Sequence, residues 1–400
     1  MDKAARSRAF RVAIYAHDTY GLGHFRRSMA IAKALMDVES NVQVLLISGS
    51  PVAHLFPVPV GIKVVQLPPV VKVGVDRYEP RNPGLTLSLL IRARTQIITE
   101  ALSRFRPDVL LVDHSPAGLK GELASALERL GRKAATIRKV LGLRDIVDDP
   151  DSTMKLWMEQ QAYYAMEEVY DDIMVYGERE IFDVAEMYQM SPRLAKKLNY
   201  VGYLGRTDDN YGIGKGIDGF KLPDTPYLLV TAGGGGDGVE LMRLGIEAAH
   251  ILKLKPILCV GPLMANADTQ SIIDAADTSA DATVVEFIPN MVSAMAGSAG
   301  VLSMGGYNSL CEVLSAGKTA VVVPRQWPRT EQSIRARAFA ARGLVEMVDP
   351  ADSNPATVAL AVKRAMDSPG LPAGVINLGG LPRAAKLIFS AGLASQIAYA

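Results

Sequence analysis

The sequence predicts an α/β protein of two domains, each a parallel β-sheet flanked by helices. Three observations predict it. Short apolar runs rich in β-branched residues recur, each ended by Gly, Pro or Asp. Helical periods lie between many of them. A strand, a glycine-rich turn and a helix open the chain at 12–38, and the same succession reopens at 227–253. Continuously apolar runs mark strands covered on both faces, and strands alternating with helices imply βαβ units. The 400 residues also exceed what one core usually organises.

In order, the runs are "VAIYAH" (12–17), "VQVLLISG" (42–49), "VVQLP" (64–68), "VLLVDH" (109–114) and "IMVYG" (173–177). They resume with "YLLVTAGG" (227–234), "ILCVGP" (257–262), "TVVEFIP" (283–289), "GVLSMGG" (300–306) and "TAVVVP" (319–324). Ile31, Leu35 and Val38 share one helical face; further helical periods run through 88–105, 155–170, 239–253 and 330–342. The stretch 200–226 is rich in Gly and Asp and reads as a linker. This sets domains at 1–205 and 206–383, with a C-terminal helix of about 384–400 packing back on the first. Ligands of open α/β sheets bind beyond the carboxyl ends of the strands, so a cleft between two such domains is the expected site.

Composition excludes several classes. Apolar residues make up 49%, charged residues 21%, and the net charge is +1, which points to neither nucleic acid nor an acidic partner. Cys259 and Cys311 both lie in apolar segments, against a disulfide framework or a cysteine metal site. The basic N-terminus has too short an apolar run for a signal peptide, and no apolar stretch approaches the roughly 18–20 residues of a membrane span. A cytoplasmic protein is expected.

Two glycine turns carry the first chemistry. In "TAGGGGDG" (231–238), Gly233, Gly235 and Gly238 satisfy Gly-x-Gly-x-x-Gly between a strand and a helix. The next strand ends in Gly and Pro rather than an acidic residue, which disfavours NAD, and no Gly-Lys-Ser/Thr makes it a Walker A loop. Backbone N–H groups at a helix N-terminus hold phosphate oxygens, so phosphate binding is expected, beside the plainer reading of a tight turn. A second diglycine, Gly305-Gly306, precedes "YNSLCEVLSAG". Ser309 and Glu312 there fit a Ser-x-x-Glu capping box; alternatively Glu312 accepts hydrogen bonds from ribose hydroxyls.

The segment 286–324, with "RQWPRTEQSIRARAFAARG" (325–343), resembles the donor-binding region of family 28-like glycosyltransferases. The best-understood relative moves N-acetylglucosamine from UDP-N-acetylglucosamine to a lipid-linked acceptor in peptidoglycan synthesis. The resemblance covers most of 200–350 and the "GLGH" turn, and is closest to a group of bacterial glycosyltransferases inferred from sequence. It implies the GT-B architecture, two facing Rossmann-like domains with a nucleotide-sugar cleft between them, the first for the acceptor and the second for the donor. Phe287 and Ile288 would edge the nucleobase pocket. Asn308 and Ser309 would meet the diphosphate with Gly234, Gly235 and Gly236, and Gly23, Gly306 and Tyr307 would also belong to the donor site. Glu312 would bind ribose, and Glu331 and Gln332 the donor sugar, where the family carries Gln-Gln. The Glu at 331 departs from that pair and puts N-acetylglucosamine as donor sugar in question.

The resemblance gives the stretch "GLGHFRRS" (21–28) a role. His24 is the candidate general base on an acceptor hydroxyl, with stabilisation of diphosphate charge or a capping role as alternatives. Arg26 or Arg27 would neutralise a phosphate or face solvent. Asp113 and His114, at the end of the strand "VLLVDH", and Arg144, in "GLRDI" (142–146), are candidates for acceptor binding or base assistance, with an ordinary strand-end turn and an Arg144–Asp145 pair as the plainer reading. No metal or cofactor is implied, the nucleotide sugar (UDP-linked) being substrate; Asp149-Pro150-Asp151 matches Asp-x-Asp but lies in a polar run. Six arginines and no lysine between 76 and 106, among leucines, suggest a helix resting on anionic lipid, or else a core-facing helix with solvated arginines. A peripheral place on the inner face of the membrane would follow from the first.

The leading expectation is metal-independent, inverting transfer of a sugar to a glycan or lipid-linked acceptor. "GLGHFRRSMAIAKAL" (21–35) also resembles the opening of a UDP-sugar hydrolase of pseudaminic acid synthesis, which uses water. A non-catalytic nucleotide-sugar binding protein is the third reading.

Overall fold

The structure is a computed structural model and describes residues 8–17, 23–74, 77–82, 84–133, 137–206, 221–234, 236–278, 282–371 and 374–398. It divides into two compact units, the first comprising residues 1–53, 58–202 and 379–400, the second 54–57 and 203–378. Much of the expected linker, residues 207–220, lies outside the described residues.

The first unit holds β1 (Phe10–Ala16), β2 (Val42–Ser48), β3 (Ile62–Gln66), the antiparallel pair β4 (Val70–Gly74) and β5 (Arg77–Pro80), β6 (Val109–Asp113), β7 (Arg138–Arg144), β8 (Asp172–Tyr176) and β9 (Leu198–Tyr200). Its parallel sheet runs β3-β2-β1-β6-β7-β8-β9. Val12 pairs with Val44 on one side and Val109 on the other, and all three are buried because helices cover both faces. The helix Gly23–Val38 buries Phe25, Met29, Ile31 and Leu35 against this sheet. The C-terminal helix Gly380–Ala398 packs beside it, where Phe389 meets Phe10 edge-to-face at 4.9 Å.

The second unit holds β10 (Tyr227–Thr231), β11 (Lys255–Cys259), β12 (Thr283–Val285), β13 (Gly300–Ser303), β14 (Ala320–Val322) and β15 (Val345–Met347). They form one parallel sheet in the order β12-β11-β10-β13-β14-β15. Counted within the unit this is 3-2-1-4-5-6, the Rossmann order. In each sheet the order reverses once, between β1 and β6 and between β10 and β13. Connections leave on opposite faces there, opening a crevice at the carboxyl ends.

Three local expectations are corrected. The helical period over 155–170 is two helices, Pro150–Glu159 and Ala162–Glu168, because Gln161 adopts a left-handed φ of 53°. The run "TVVEFIP" is strand only over Thr283–Val285. Ser309 and Glu312 form no capping box, because Gly306 is the N-cap and the helix starts at Tyr307, placing Ser309 inside the first turn.

Candidate functional site

In the first unit the switch point is occupied by imidazoles. His17 follows β1, Asp113 ends β6, and His114 follows it with a left-handed φ of 74°, its N–H donating to Gly142 O at 2.7 Å. His24 and Arg27 lie one turn apart on the helix Gly23–Val38, hence on one face. Their side chains converge on Asp113. His24 Nδ1 is 2.6 Å from Oδ2, and Arg27 donates from Nε to Oδ1 at 3.0 Å and from Nη2 to Oδ2 at 2.7 Å. The rings of His17 and His114 lie 5.9 and 5.3 Å from that of His24.

The protonation states follow from the chemistry. Burial alone would raise the Asp113 pKa, but Arg27 and His24 outweigh it and hold the carboxyl well below the usual carboxylate range. An ionised carboxylate only accepts, so the 2.6 Å contact, shorter than the 2.9 Å approach of Arg27 Nη2 to the same nitrogen, assigns the proton to Nδ1 and the imidazole lone pair to Nε2. Burial pushes the His24 pKa down to about 4; Asp113 pulls the other way, and the Arg27 and Arg144 charges add to the lowering. The imidazole is therefore neutral near pH 7 and able to take a proton. Its side chain is 15% exposed, Asp113 only 1%.

In the second unit the two glycine turns meet beyond β10 and β13. Gly233 (φ 69°) lies beside Ser309 Oγ, which would be 3.6 Å from a Cβ at that position. Gly261, at the end of β11, has φ 88°, and a Cβ there would fall 2.6–2.7 Å from Gly233 O and the Gly234 carbonyl. The turn thus stands on backbone that only glycine at 261 allows. Gly236 is exposed, and Asn308 is half-buried in the first turn of the helix Tyr307–Ser315. Gly235 lies outside the described residues.

Arg325 ties the turn to the next helix. It donates from Nη1 to Asp237 at 2.6 Å and from Nη2 to Glu331 at 3.0 Å, while its backbone N–H donates to Gln332 Oε1 at 3.1 Å. Glu331 and Gln332 are buried in the first turn of the helix Glu331–Ala340. Glu312 is 2% exposed and accepts from Arg206 Nη1 at 3.0 Å. Tyr307 is buried, its hydroxyl accepting from Leu204 N at 3.2 Å. Ile288 lies in the core and Phe287 is half-buried.

The structure brings His24, Asp113, His114 and Arg144 into one neighbourhood, and Gly233, Gly234 and Ser309 into another. Arg27 is not solvated: it is 2% exposed and paired with Asp113. Asp149 caps the helix Pro150–Glu159, its side chain accepting from Ser152 N, and among the described residues no cluster of His, Cys, Asp or Glu has a metal-holding arrangement. Arg94, on the arginine-bearing helix Leu87–Phe105, is fully buried against Glu122, whereas Arg92 and Arg104 are exposed. No helix among the described residues is long and apolar enough to cross a membrane. Sequence reasoning missed Arg325 and Arg206. The only signal for Arg325 was a cation directly after the "VVVP" strand end.

Residues 230–372 match the model of the glycosyltransferase family 28 C-terminal domain. That match lies wholly within the second unit. Over 148 residues the chain is 29% identical to the UDP-N-acetylglucosamine–N-acetylmuramyl-(pentapeptide) pyrophosphoryl-undecaprenol N-acetylglucosamine transferase of Mannheimia succiniciproducens. That match covers 34% of this chain and 42% of the relative, so less than half of the relative's length is spanned. Solved structures agree along the whole chain. The glycotransferase of kitacinnamycin superposes with a TM-score of 0.59 at 16% identity, covering 98% of both chains. MurG of Acinetobacter baumannii gives 0.53 at 17%, covering 97% of this chain and 99% of its own. CalG4, the calicheamicin glycosyltransferase, gives 0.57 at 16% over 98% of each. At such identities the likeness establishes the fold, which is GT-B.

Proposed function

We propose that this protein is a glycosyltransferase that moves a sugar from a nucleotide donor, UDP-linked, to the hydroxyl of a glycan or lipid-linked acceptor. The observation that carries the reading is the His24–Asp113 hydrogen bond at the switch point of the first sheet. A neutral imidazole with its lone pair on Nε2 is suited to take the acceptor's proton. The acceptor oxygen bonds to the anomeric carbon as the bond from that carbon to the diphosphate oxygen breaks. The electron pair leaves with the UDP, the proton passes to Nε2, and Asp113 stabilises the resulting imidazolium. Attack opposite the leaving group inverts the anomeric centre.

The donor belongs to the second unit. Backbone N–H groups of the Gly233–Gly236 turn and of the first turn at Tyr307–Ser309 are suited to the departing diphosphate, with the helix dipole adding to their effect. Glu312 is the candidate for the ribose, Phe287 for the edge of the base, and Glu331 and Gln332 for the sugar. The transfer proposed here draws on no metal. The pyrophosphoryl-undecaprenol acceptor in the relative's name supports a lipid-linked acceptor and, with it, a peripheral place on the membrane.

A thermal-shift panel of nucleotide sugars tests the donor assignment. At a ligand concentration about 100 times Kd, binding adds about 2.7 kcal/mol, or roughly 5–10 °C for a unit of this size. UDP-sugars should raise Tm by that order and their ADP- and GDP-linked counterparts much less. A panel in which no nucleotide sugar raises Tm would end the donor assignment.

A further inference from the structure

His24 does not meet Asp113 alone. Arg27 grips both carboxylate oxygens with two N–H groups, at 3.0 and 2.7 Å, and His24 Nδ1 reaches the second of the same oxygens at 2.6 Å. The guanidinium is 2% exposed and lies over the Tyr176 ring, 5.4 Å from its centroid. A two-point grip fixes the plane of a carboxylate as well as its position, which a single contact cannot do. Arg27 Nη2 also lies 2.9 Å from His24 Nδ1, so its charge bears directly on the imidazole.

We propose that Arg27 is the positioning residue of this site: by holding both oxygens of Asp113 it fixes the acceptor for Nδ1–H, keeps the lone pair on Nε2 and opposes protonation of His24. The proposal rests on the reading of His24 as the base. Its structural content, the tautomer and titration of one imidazole, belongs to the first unit and is measurable without any substrate.

Among the described residues, the charged and titratable groups that face His24 are few. Asp113 and His114 come from the end of β6, His17 from the end of β1, Arg144 from the end of β7 and Arg27 from its own helix. Only Asp113 is an anion among them. Removing Arg27 therefore acts twice in one direction. It takes a cation away from the imidazole, and it exposes His24 to the full charge of Asp113. Both favour the imidazolium. A residue that merely packed would shift neither the titration nor the tautomer.

The test uses the full chain labelled with 15N- and 13C-histidine. Five histidines give resolvable signals, and His24 is assigned by the peak lost in His24→Gln. The wild type should show a neutral Nδ1–H imidazole from pH 5 to 8. Arg27→Met should raise the His24 midpoint by at least about one pH unit, a tenfold change in proton affinity. In turnover with a UDP-sugar, the acid limb of the kcat profile should move up with it while KM for the donor stays within twofold. Arg27→Lys keeps the charge but loses the fork. It should keep a low midpoint yet populate both tautomers, with kcat at least tenfold down at every pH. Wild-type midpoint in Arg27→Met, or a wild-type tautomer population in Arg27→Lys, would overturn the proposal; the second decides the matter should Arg27→Met not fold. If His24→Ala retains full turnover, the base assignment fails instead, and the titrations still stand or fall on their own.

Discussion

The cost of burying His24 as a neutral imidazole should be visible in the stability of the first unit. An ordinary histidine titrates near 6.5, and burial moves His24 to about 4. Between those values the unfolded chain binds a proton that the native state refuses. Stability therefore rises with pH through this window: the contribution is complete above 6.5 and is lost as pH falls towards 4. At about 1.36 kcal/mol per pKa unit, the full effect is about 3 kcal/mol, and about 2 kcal/mol of it has gone by pH 5. The side chain is only 15% exposed, so solvent screening takes little of this away. His24→Gln removes the titrating group while leaving Arg27 on Asp113. Tryptophan fluorescence suits the assay, because Trp157 is buried in the first unit whereas Trp327 in the second is 74% exposed. Urea unfolding followed by that signal should show the wild type losing about 2 kcal/mol more than His24→Gln between pH 7 and 5. Parallel losses in the two proteins would refute the reasoning, since no differential proton uptake by His24 would then exist.

Two further predictions concern other parts of the molecule. Arg94 and Glu122 are both 0% exposed, and Tyr15 donates its hydroxyl to the same carboxylate at 2.5 Å. Arg94→Met strands that carboxylate and should cost about 3–5 kcal/mol by urea midpoint, whereas Arg94→Met with Glu122→Gln should recover at least half of it. Gly261→Ala drives a methyl into the Gly233–Gly234 backbone, at 2.6–2.7 Å, from a left-handed φ. Calorimetry should show UDP affinity reduced at least tenfold, with the Trp157 unfolding transition of the first unit unchanged.

The sequence was most readable where one residue type had one physical reason to be there. Runs such as "VLLVD" and "YLLVT" are fully buried strands because parallel strands are covered on both faces. β7 escaped notice, since it opens on Arg138-Lys139 and contains Gly142. That glycine is required by packing: a Cβ there would lie 1.9 Å from the Tyr176 hydroxyl. The break at Gln161 was hidden for a different reason, because a left-handed glutamine carries no glycine signature. Within the site, residue types were legible and partners were not. His24 and Asp113 both stood out, yet their contact joins positions 89 apart, and Arg27 read as either a phosphate partner or a solvated cation, whereas the fold brings β6 beneath it and pairs it with Asp113. Glu312 shows the same limit. Its place on the helix was readable, whereas its pairing with Arg206, 106 positions away, was not.

The most direct test of the account is transfer itself, measured by mass spectrometry. Wild type and His24→Ala are incubated with the UDP-sugar that gives the largest thermal shift and with alkyl glycosides and a polyprenyl-diphosphate sugar as acceptors. The account predicts that one acceptor gains the mass of one sugar residue, with stoichiometric UDP, and that His24→Ala slows this at least about 100-fold, the scale of a lost general base. UDP released at the same rate without any acceptor would make the protein a hydrolase. Undiminished transfer by His24→Ala would contradict the account.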